Sequence, residues 1–250
     1  MQALRVMPRD HEGQVVVSWR IEPSIDGRLR SSEDTYGNLV HMFQAEGPFD
    51  SITMKIDGIV ETTDTTGFVR GTKDHLPPQV YLRQTQTTQP DEGMILYARR
   101  TARAGATHLE QLHALLDSLH DEMAFLEDGP EKPVKAAEAF ALRKGTAIDL
   151  AHIFCASARE IGVPARLVEG YDVARTRQGE MAVRHAWVEA HVESFGWIGF
   201  DPSLGRCPAD SHVRVSVGLD HADAAPVRLT RVGGGLEKAN VALAVMAIDQ

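Results

Sequence analysis

His185 and Asp201 both fall in the stretch "RHAWVEAHVESFGWIGFDPS". An imidazole beside a carboxylate is the pairing that activates a thiol or hydroxyl nucleophile, because the acid fixes the imidazole tautomer and stabilises the imidazolium. The strand pattern can bring the two together. Ala186, Val188, Ala190 and Val192 alternate with His185, Trp187, Glu189 and His191, so the segment reads as a strand with one apolar and one polar face, His185 lying on the face away from the core. "SFG" then turns the chain and "WIGFDP" forms a partner strand that Pro202 ends. A hairpin centred on Glu193 or Ser194 sets His185 opposite positions 201–203, which makes Asp201 its direct or diagonal neighbour. Alone, such a pair more commonly steadies a hairpin than drives a reaction.

A nucleophile for the pair is sought at a helix start. In "RKGTAIDLAHIFCASAREIGVPARLVEGYD", Thr146 and Asp149 form a T-x-x-D capping pattern with Thr146 as N-cap and Ala147 at the first helical position. Ala147, Leu150, Ala151, Phe154, Cys155, Ala158 and Ile161 make one apolar stripe, and Gly162 followed by Pro164 ends the helix. The unpaired N–H groups and the dipole of such a start lower the pKa of a cysteine. Alanine gains nothing from this, and by itself the segment describes a small residue packed at the start of a buried helix.

Together these stretches resemble a known family. "GTAIDLAHIFCASAREIGVPARLVEGY" followed by "HAWVEAHVESFGWIGFDPS" is similar to the transglutaminase-like superfamily of papain-related thiol enzymes, whose pattern runs G-x-C-x-D-x-A, R-x-x-G-[IV]-P-A-R-x-V-x-G-Y, H-A-W and D-P. The resemblance covers about Leu109 to Ser203, and "LRVMPRD", "GQVVVSWRIEP" and "YGNLVHMF" resemble the N-terminal β region of a bacterial subgroup. Each motif is weak alone; four in order are specific. The resemblance implies that His185 is the general base, Asp201 the orienting acid and Ala147 the position of the cysteine nucleophile. It also implies thiolate attack on a peptide or carboxamide carbonyl, with an acyl-enzyme intermediate, an oxyanion held in part by the backbone N–H of position 147, and no cofactor.

No other residue replaces the missing thiol. Cys155 lies roughly 12 Å along the same helix and faces elsewhere, so it reads as a buried structural thiol. Cys207 falls in a Gly/Pro loop, Ser157 lacks a base, and Thr146 is used as a cap. His152, His191, His212 and His221 show no metal-binding spacing, and two cysteines cannot build a four-ligand zinc site, so no metal is expected. Asp149 and Glu189 read as a cap and a strand-face charge. Trp187 is a candidate for lining a substrate groove, with core packing equally open for it and for Trp197.

The elements around this site read as strands, then helices, then strands. "GQVVVSWRIEP", "GNLVHMFQAEG" and "SITMKIDGIVETT" suggest a β-sandwich-like domain over residues 1–85. The Pro-rich "GTKDHLPPQVYLRQTQTTQPDEG" is a connector, and residues 86–250 form the transglutaminase-like core with C-terminal strands "HVRVSVGLD", "APVRLTRV" and "NVALAVMAID". Thr107 and Glu110 cap a helix through Leu109, Leu112, Leu115, Leu116, Leu119 and Met123, and "PVKAAEAFALRKG" predicts a short helix opening at Pro133. The fold class is α+β, with helices packed on an antiparallel sheet.

A formal charge of -9 over 250 residues, without a basic cluster, argues against nucleic-acid binding. No stretch has the length of a membrane span, no apolar leader opens the chain, and cysteines are few, so a soluble cytoplasmic protein acting on peptide or protein is the expectation, its oligomeric state left open. Two functions fit. One is a thiol peptidase or amidase in which alanine has replaced the nucleophile, by engineering or recent loss. The other is a non-catalytic relative that binds a peptide or scaffolds a partner in the same cleft.

Overall fold

The structure, a computed structural model, describes residues 1–49, 51–127, 129, 133–175 and 184–229. Its N-terminal strands are β1 (Gln2–Leu4), β2 (Gln14–Pro23), β3 (Arg28–Glu33), β4 (Leu39–Gln44), β5 (Met54–Thr62) and β6 (Phe68–Val69). There follow α1 (Glu92–Ala102), α2 (His108–Glu122), β7 (Ala124–Phe125), α3 (Ala136–Leu142), β8 (Lys144–Gly145) and α4 (Ala147–Glu160). The chain continues through β9 (Ala165–Asp172), β10 (Arg184–Val192), β11 (Gly196–Phe200), β12 (His212–Gly218), α5 (His221–Ala224) and β13 (Val227–Leu229). No helix among the described residues is long and apolar enough to cross a membrane.

Helix starts follow the capping chemistry. Thr107 and Glu110 close a full capping box on α2, which buries Leu112, Leu115, Leu116 and Leu119. Thr146 and Asp149 do the same for α4, and Gly162 ends that helix region at φ +84°, a conformation side chains resist. The short helix expected from Pro133 instead starts at Ala136, because the Val134 N–H donates to Asp149 Oδ1 at 3.0 Å and the preceding chain stays extended against the head of α4. Helix α1 was concealed by the Pro-rich connector before it. Asp91 caps it through the Met94 N–H, and Met94, Tyr97 and Ala98 supply its buried face.

The architecture is a mixed helix and sheet fold. A five-stranded antiparallel sheet runs β12-β9-β10-β11-β6, and α4 lies against β9 and β10 with α1, α2 and α3 packed around it. Ala147, Leu150, Ile153 and Phe154 of α4 join Ala186, Val188 and Ala190 of β10 and Phe200 of β11 in one buried cluster. Each fully buried Leu or Phe there contributes about 1.5–3 kcal/mol relative to exposure. A second antiparallel sheet runs β13-β1-β4-β3, and β2 pairs with β5 as a twisted ribbon bulged at Val16/Ser18. Strand β6 joins the core sheet and β13 joins β1, so strands from each end of the chain serve the other's sheet. The segment "NVALAVMAID" lies outside the described residues.

The polar face of β10 is not exposed. Glu189 is fully buried between Arg166 Nε (2.7 Å) on β9 and Arg214 Nε (2.7 Å) on β12, while Arg166 also reaches Asp74 at 2.6 Å and stacks 3.9 Å above the Trp197 ring. Strand β12 is the edge of this sheet. Its outward backbone is paired by two side-chain amides of the N-terminal region, Gln14 at Arg214 (2.8 and 2.9 Å) and Asn38 at Val217 (2.7 and 2.8 Å). The amides do the work of another strand and seat the N-terminal region against the core.

Burial acts to raise the Glu189 pKa, but the two guanidiniums outweigh it and bring it down to about 2. Glu189→Ala leaves two buried arginines without their shared counter-charge, and urea denaturation at neutral pH is expected to show a loss of about 3–5 kcal/mol. Because the folded pKa is depressed, the native carboxylate's contribution is complete above its ordinary value of 4.5 and is lost as pH falls towards 2. The gap between the native chain and the variant therefore narrows on acidification.

Candidate active site

His185 is the second residue of β10, paired in register with Gly170 of β9. Asp201 follows directly on β11. The β10–β11 register, Val188 with Phe200 through Val192 with Gly196, makes Asp201 the diagonal neighbour of His185. His185 Nε2 and Asp201 Oδ2 lie 2.5 Å apart, and both residues are buried. With Nε2–H donating to the carboxylate, the lone pair of the neutral ring is on Nδ1, which makes no hydrogen bond among the described residues.

Asp201 holds more than one histidine. His212, which opens β12, places its Nε2 3.2 Å from the same Oδ2. The Ala209 N–H points at its Nδ1 from 3.3 Å, so Nε2 carries the proton and donates to Asp201. Asp201 Oδ1 accepts from the Ser203 N–H (3.0 Å), the Ser203 hydroxyl (2.7 Å) and the Leu204 N–H (3.3 Å). Burial works to raise the Asp201 pKa, yet the hydrogen bonds from His185 and His212 with the imidazole charge overcome it and hold the acid well below its ordinary range.

Trp187 is the wall of this arrangement. It is 2% exposed, lies near-parallel to the His185 ring at 6.2 Å and meets the His212 ring edge-on at 5.2 Å. Gly170 makes room for it, since a Cβ there would sit 2.9 Å from Trp187 Cη2 and 2.0 Å from the Val213 carbonyl oxygen. Asp172, two residues further along β9 and in register with His212, completes the cluster from the other side. A small cavity lined by His11, Trp187, Glu189, His212 and Arg214 adjoins it from the N-terminal strands.

Ala147 is the first residue of α4, 8% exposed, within the same buried cluster as Ala186. Thr146 Oγ1 caps the Asp149 N–H, and Asp149 Oδ2 accepts from Thr146 N–H at 2.9 Å and from its hydroxyl at 2.7 Å. Cys155 is fully buried on the same helix, its thiol pushed up to about 11 by burial, and burial likewise raises Cys207. Neither is prepared as a nucleophile. The sequence pattern set His212 aside for want of metal-binding spacing and did not single out Asp172; the two come from separate strands and carry no local motif. The available hint was their position at strand ends next to turn residues, "ADSH" and "YDVA".

Residues 96–202 match the core of the transglutaminase-like superfamily, and residues 1–61 match the bacterial transglutaminase-like N-terminal region. The chain thus carries a transglutaminase-like superfamily core behind a bacterial transglutaminase-like N-terminal region. Its relatives include an uncharacterized protein of Mycobacterium leprae, 25% identical over 96% of this chain and 90% of the relative. An uncharacterized protein of Mycobacterium tuberculosis is 24% identical over 88% of this chain and 78% of its own length. Among solved structures, a provisionally assigned cysteine protease of Cytophaga hutchinsonii superposes with a TM-score of 0.70 at 19% identity, over 91% of this chain and 78% of that one. That likeness is one of fold.

Replacing Asp201 by Asn removes the charge that five donors share, and roughly 3 kcal/mol of stability should go with it at neutral pH. The folded pKa is depressed, so the native contribution is whole above the ordinary value of 3.8 and declines only below it. Urea midpoints for the two chains should differ by a constant amount from pH 5 to 7 and converge in acid. A difference that persists unchanged at pH 2 would mean that Asp201 is not held as a carboxylate.

Proposed function

We propose that this chain is a transglutaminase-like cysteine peptidase or amidase in which Ala147 occupies the nucleophile position, so that the protein with alanine there is inert towards peptide and carboxamide bonds. The observation that carries this reading is the buried His185–Asp201 hydrogen bond, which commits Nε2 to the acid and leaves Nδ1 as the base. His185 Nδ1 takes part in no hydrogen bond among the described residues, so its lone pair is available to accept a proton. By the family resemblance the thiol of an active member would stand at the capped head of α4, which packs on the apolar face of β10, so His185, near one end of β10 and on its other face, would have to meet it around that end of the strand.

With a thiol at position 147, His185 Nδ1 takes its proton, and the thiolate attacks the carbonyl carbon of a peptide or carboxamide. The oxyanion forms within reach of the backbone N–H of residue 147, the imidazolium returns the proton to the leaving amine, and water or an amine resolves the thioester. Asp201 keeps the imidazole in the required tautomer throughout. Losing the nucleophile of a comparable triad costs on the order of 10⁶ in kcat, which is why the chain with Ala147 turns nothing over. The alternative, a peptide-binding or scaffolding protein using the same cleft, predicts that the head of α4 is not organised for a thiolate.

The substitution Ala147→Cys separates the two. Helix N-terminus and imidazolium together should lower the thiol pKa by about two units from 8.5, and after allowing for the lower nucleophilicity of a weaker base, alkylation at pH 6.5 should run roughly five- to tenfold faster than for a free cysteine. Iodoacetamide labelling with peptide mapping compares position 147 with Cys155 and Cys207 in one sample. His185→Ala in the Ala147→Cys background should slow only position 147. An introduced thiol that titrates like a free cysteine and ignores His185 would leave the binding reading in place of the enzyme reading.

A further inference from the structure

We infer that the outer edge of β5 pairs with the same edge of a second copy of this chain, joining two ribbons into one antiparallel sheet of order β2-β5-β5-β2. The interface lies in the N-terminal region and does not rest on the function proposed for position 147.

The edge of β5 is open. Among the described residues β5 pairs with β2 alone, and where it approaches β12 no strand pairing joins them. At the two ends of the β2–β5 ladder the Ser24 N–H donates to the Thr53 carbonyl (2.8 Å) and the Thr63 N–H to the Gly13 carbonyl (3.0 Å). Odd-numbered residues of β5 therefore turn their backbone groups towards β2, and those of Met54, Ile56, Gly58, Val60 and Thr62 point away from it. The outer edge of β2 differs, because His11 bridges to Gln14 across it and Asp10 Oδ1 accepts the Val16 N–H at 2.7 Å. An unpaired row of backbone donors and acceptors is a template for another strand.

Charge selects a second copy and fixes the register. When two β5 strands run antiparallel about Gly58 over their full length, Lys55 of each faces Glu61 of the other, Ile56 faces Val60, and no like charges meet. The next registers on either side set Asp57 against Asp57 or against Glu61 of the second copy, and both are penalised. Within one ribbon Lys55 already stands opposite Glu22, so the joined sheet carries Glu22, Lys55 and Glu61 in a row of alternating sign. Full-length pairing closes roughly ten backbone hydrogen bonds. Gly58 sits on the two-fold axis, and a Cβ there would lie 2.0 Å from Trp19 Cε3, so the backbones meet at a residue that must lack a side chain. Ile59, 44% exposed in the single chain, comes diagonal to its own copy across the junction.

The test is sedimentation equilibrium of the full chain from about 1 to 200 μM, where a reversible monomer–dimer equilibrium with a Kd on the order of 10 μM is expected. Glu61→Lys sets like charges opposite Lys55 in both symmetry-related pairs and should weaken association at least about tenfold, and Lys55→Glu should do the same. The double variant Lys55→Glu/Glu61→Lys should return the Kd to within about threefold of the native value. The two positions lie roughly 20 Å apart along one extended strand, so their charges cannot compensate within a chain and recovery reports pairing between chains. Lys144→Glu, a charge change at an exposed position of β8, should leave association unaltered. Circular dichroism establishes that each variant is folded before it is sedimented. A chain that is monomeric throughout overturns the proposal and leaves the edge to a segment of the same chain or to a different partner. A dimer indifferent to both single changes, or a folded double variant that does not recover, overturns it as well. None of these outcomes bears on thiol labelling at position 147.

Discussion

Strand β10 is buried on both faces, and that constraint organises the molecule. Its apolar face packs on α4, whereas the opposite face carries His185 and Glu189 into a place from which water is largely excluded. Polar groups there must find partners inside the protein or be strongly destabilising. Glu189 finds them in Arg166 and Arg214, which ties β9, β10 and β12 together by charge. Arg166 carries the network on to Asp74 of the connector and over Trp197, and Gln14 with Asn38 seals the backbone of the edge strand. The N-terminal region is therefore part of what makes this face possible.

Within that face, hydrogen-bond satisfaction is uneven. Asp201 takes every donor that its two oxygens can accommodate, and its charge is correspondingly secure. Asp172 Oδ2 is buried without a hydrogen-bond partner, and His185 keeps Nδ1 out of any hydrogen bond among the described residues. Fully paired groups hold a structure; incompletely paired groups next to them are where a ligand or a proton has something to gain. The thiol chemistry proposed for this protein rests on His185 Nδ1, and the stability argument rests on its saturated neighbours.

The place of Ala147 shows how separable the two roles are. A methyl group at the start of α4 packs into the apolar cluster, and the capping box of Thr146 and Asp149 closes the helix without help from residue 147. The start of α4 therefore does not depend on residue 147 carrying a reactive group. The same backbone can carry a thiol or a methyl group there, so family membership and activity are distinct questions for this chain.

Local chemistry was readable directly from the sequence. Thr107 with Glu110 and Thr146 with Asp149 marked helix starts because capping involves residues three apart. The alternation from His185 to Val192 and the turn at "SFG" placed Asp201 as the direct or diagonal neighbour of His185, because side chains on paired strands follow a period of two. Helix α1 and the true start of α3 were not readable, the one concealed by the prolines before it and the other set by a Val134–Asp149 contact across the head of α4. Tertiary structure alone decided that the polar face of β10 is buried, that His212 shares Asp201 with His185, and that Asp172 faces them both. These are contacts between strands brought side by side by the order of the sheet, and a one-dimensional pattern records which face a residue takes but not which strand will lie next to it.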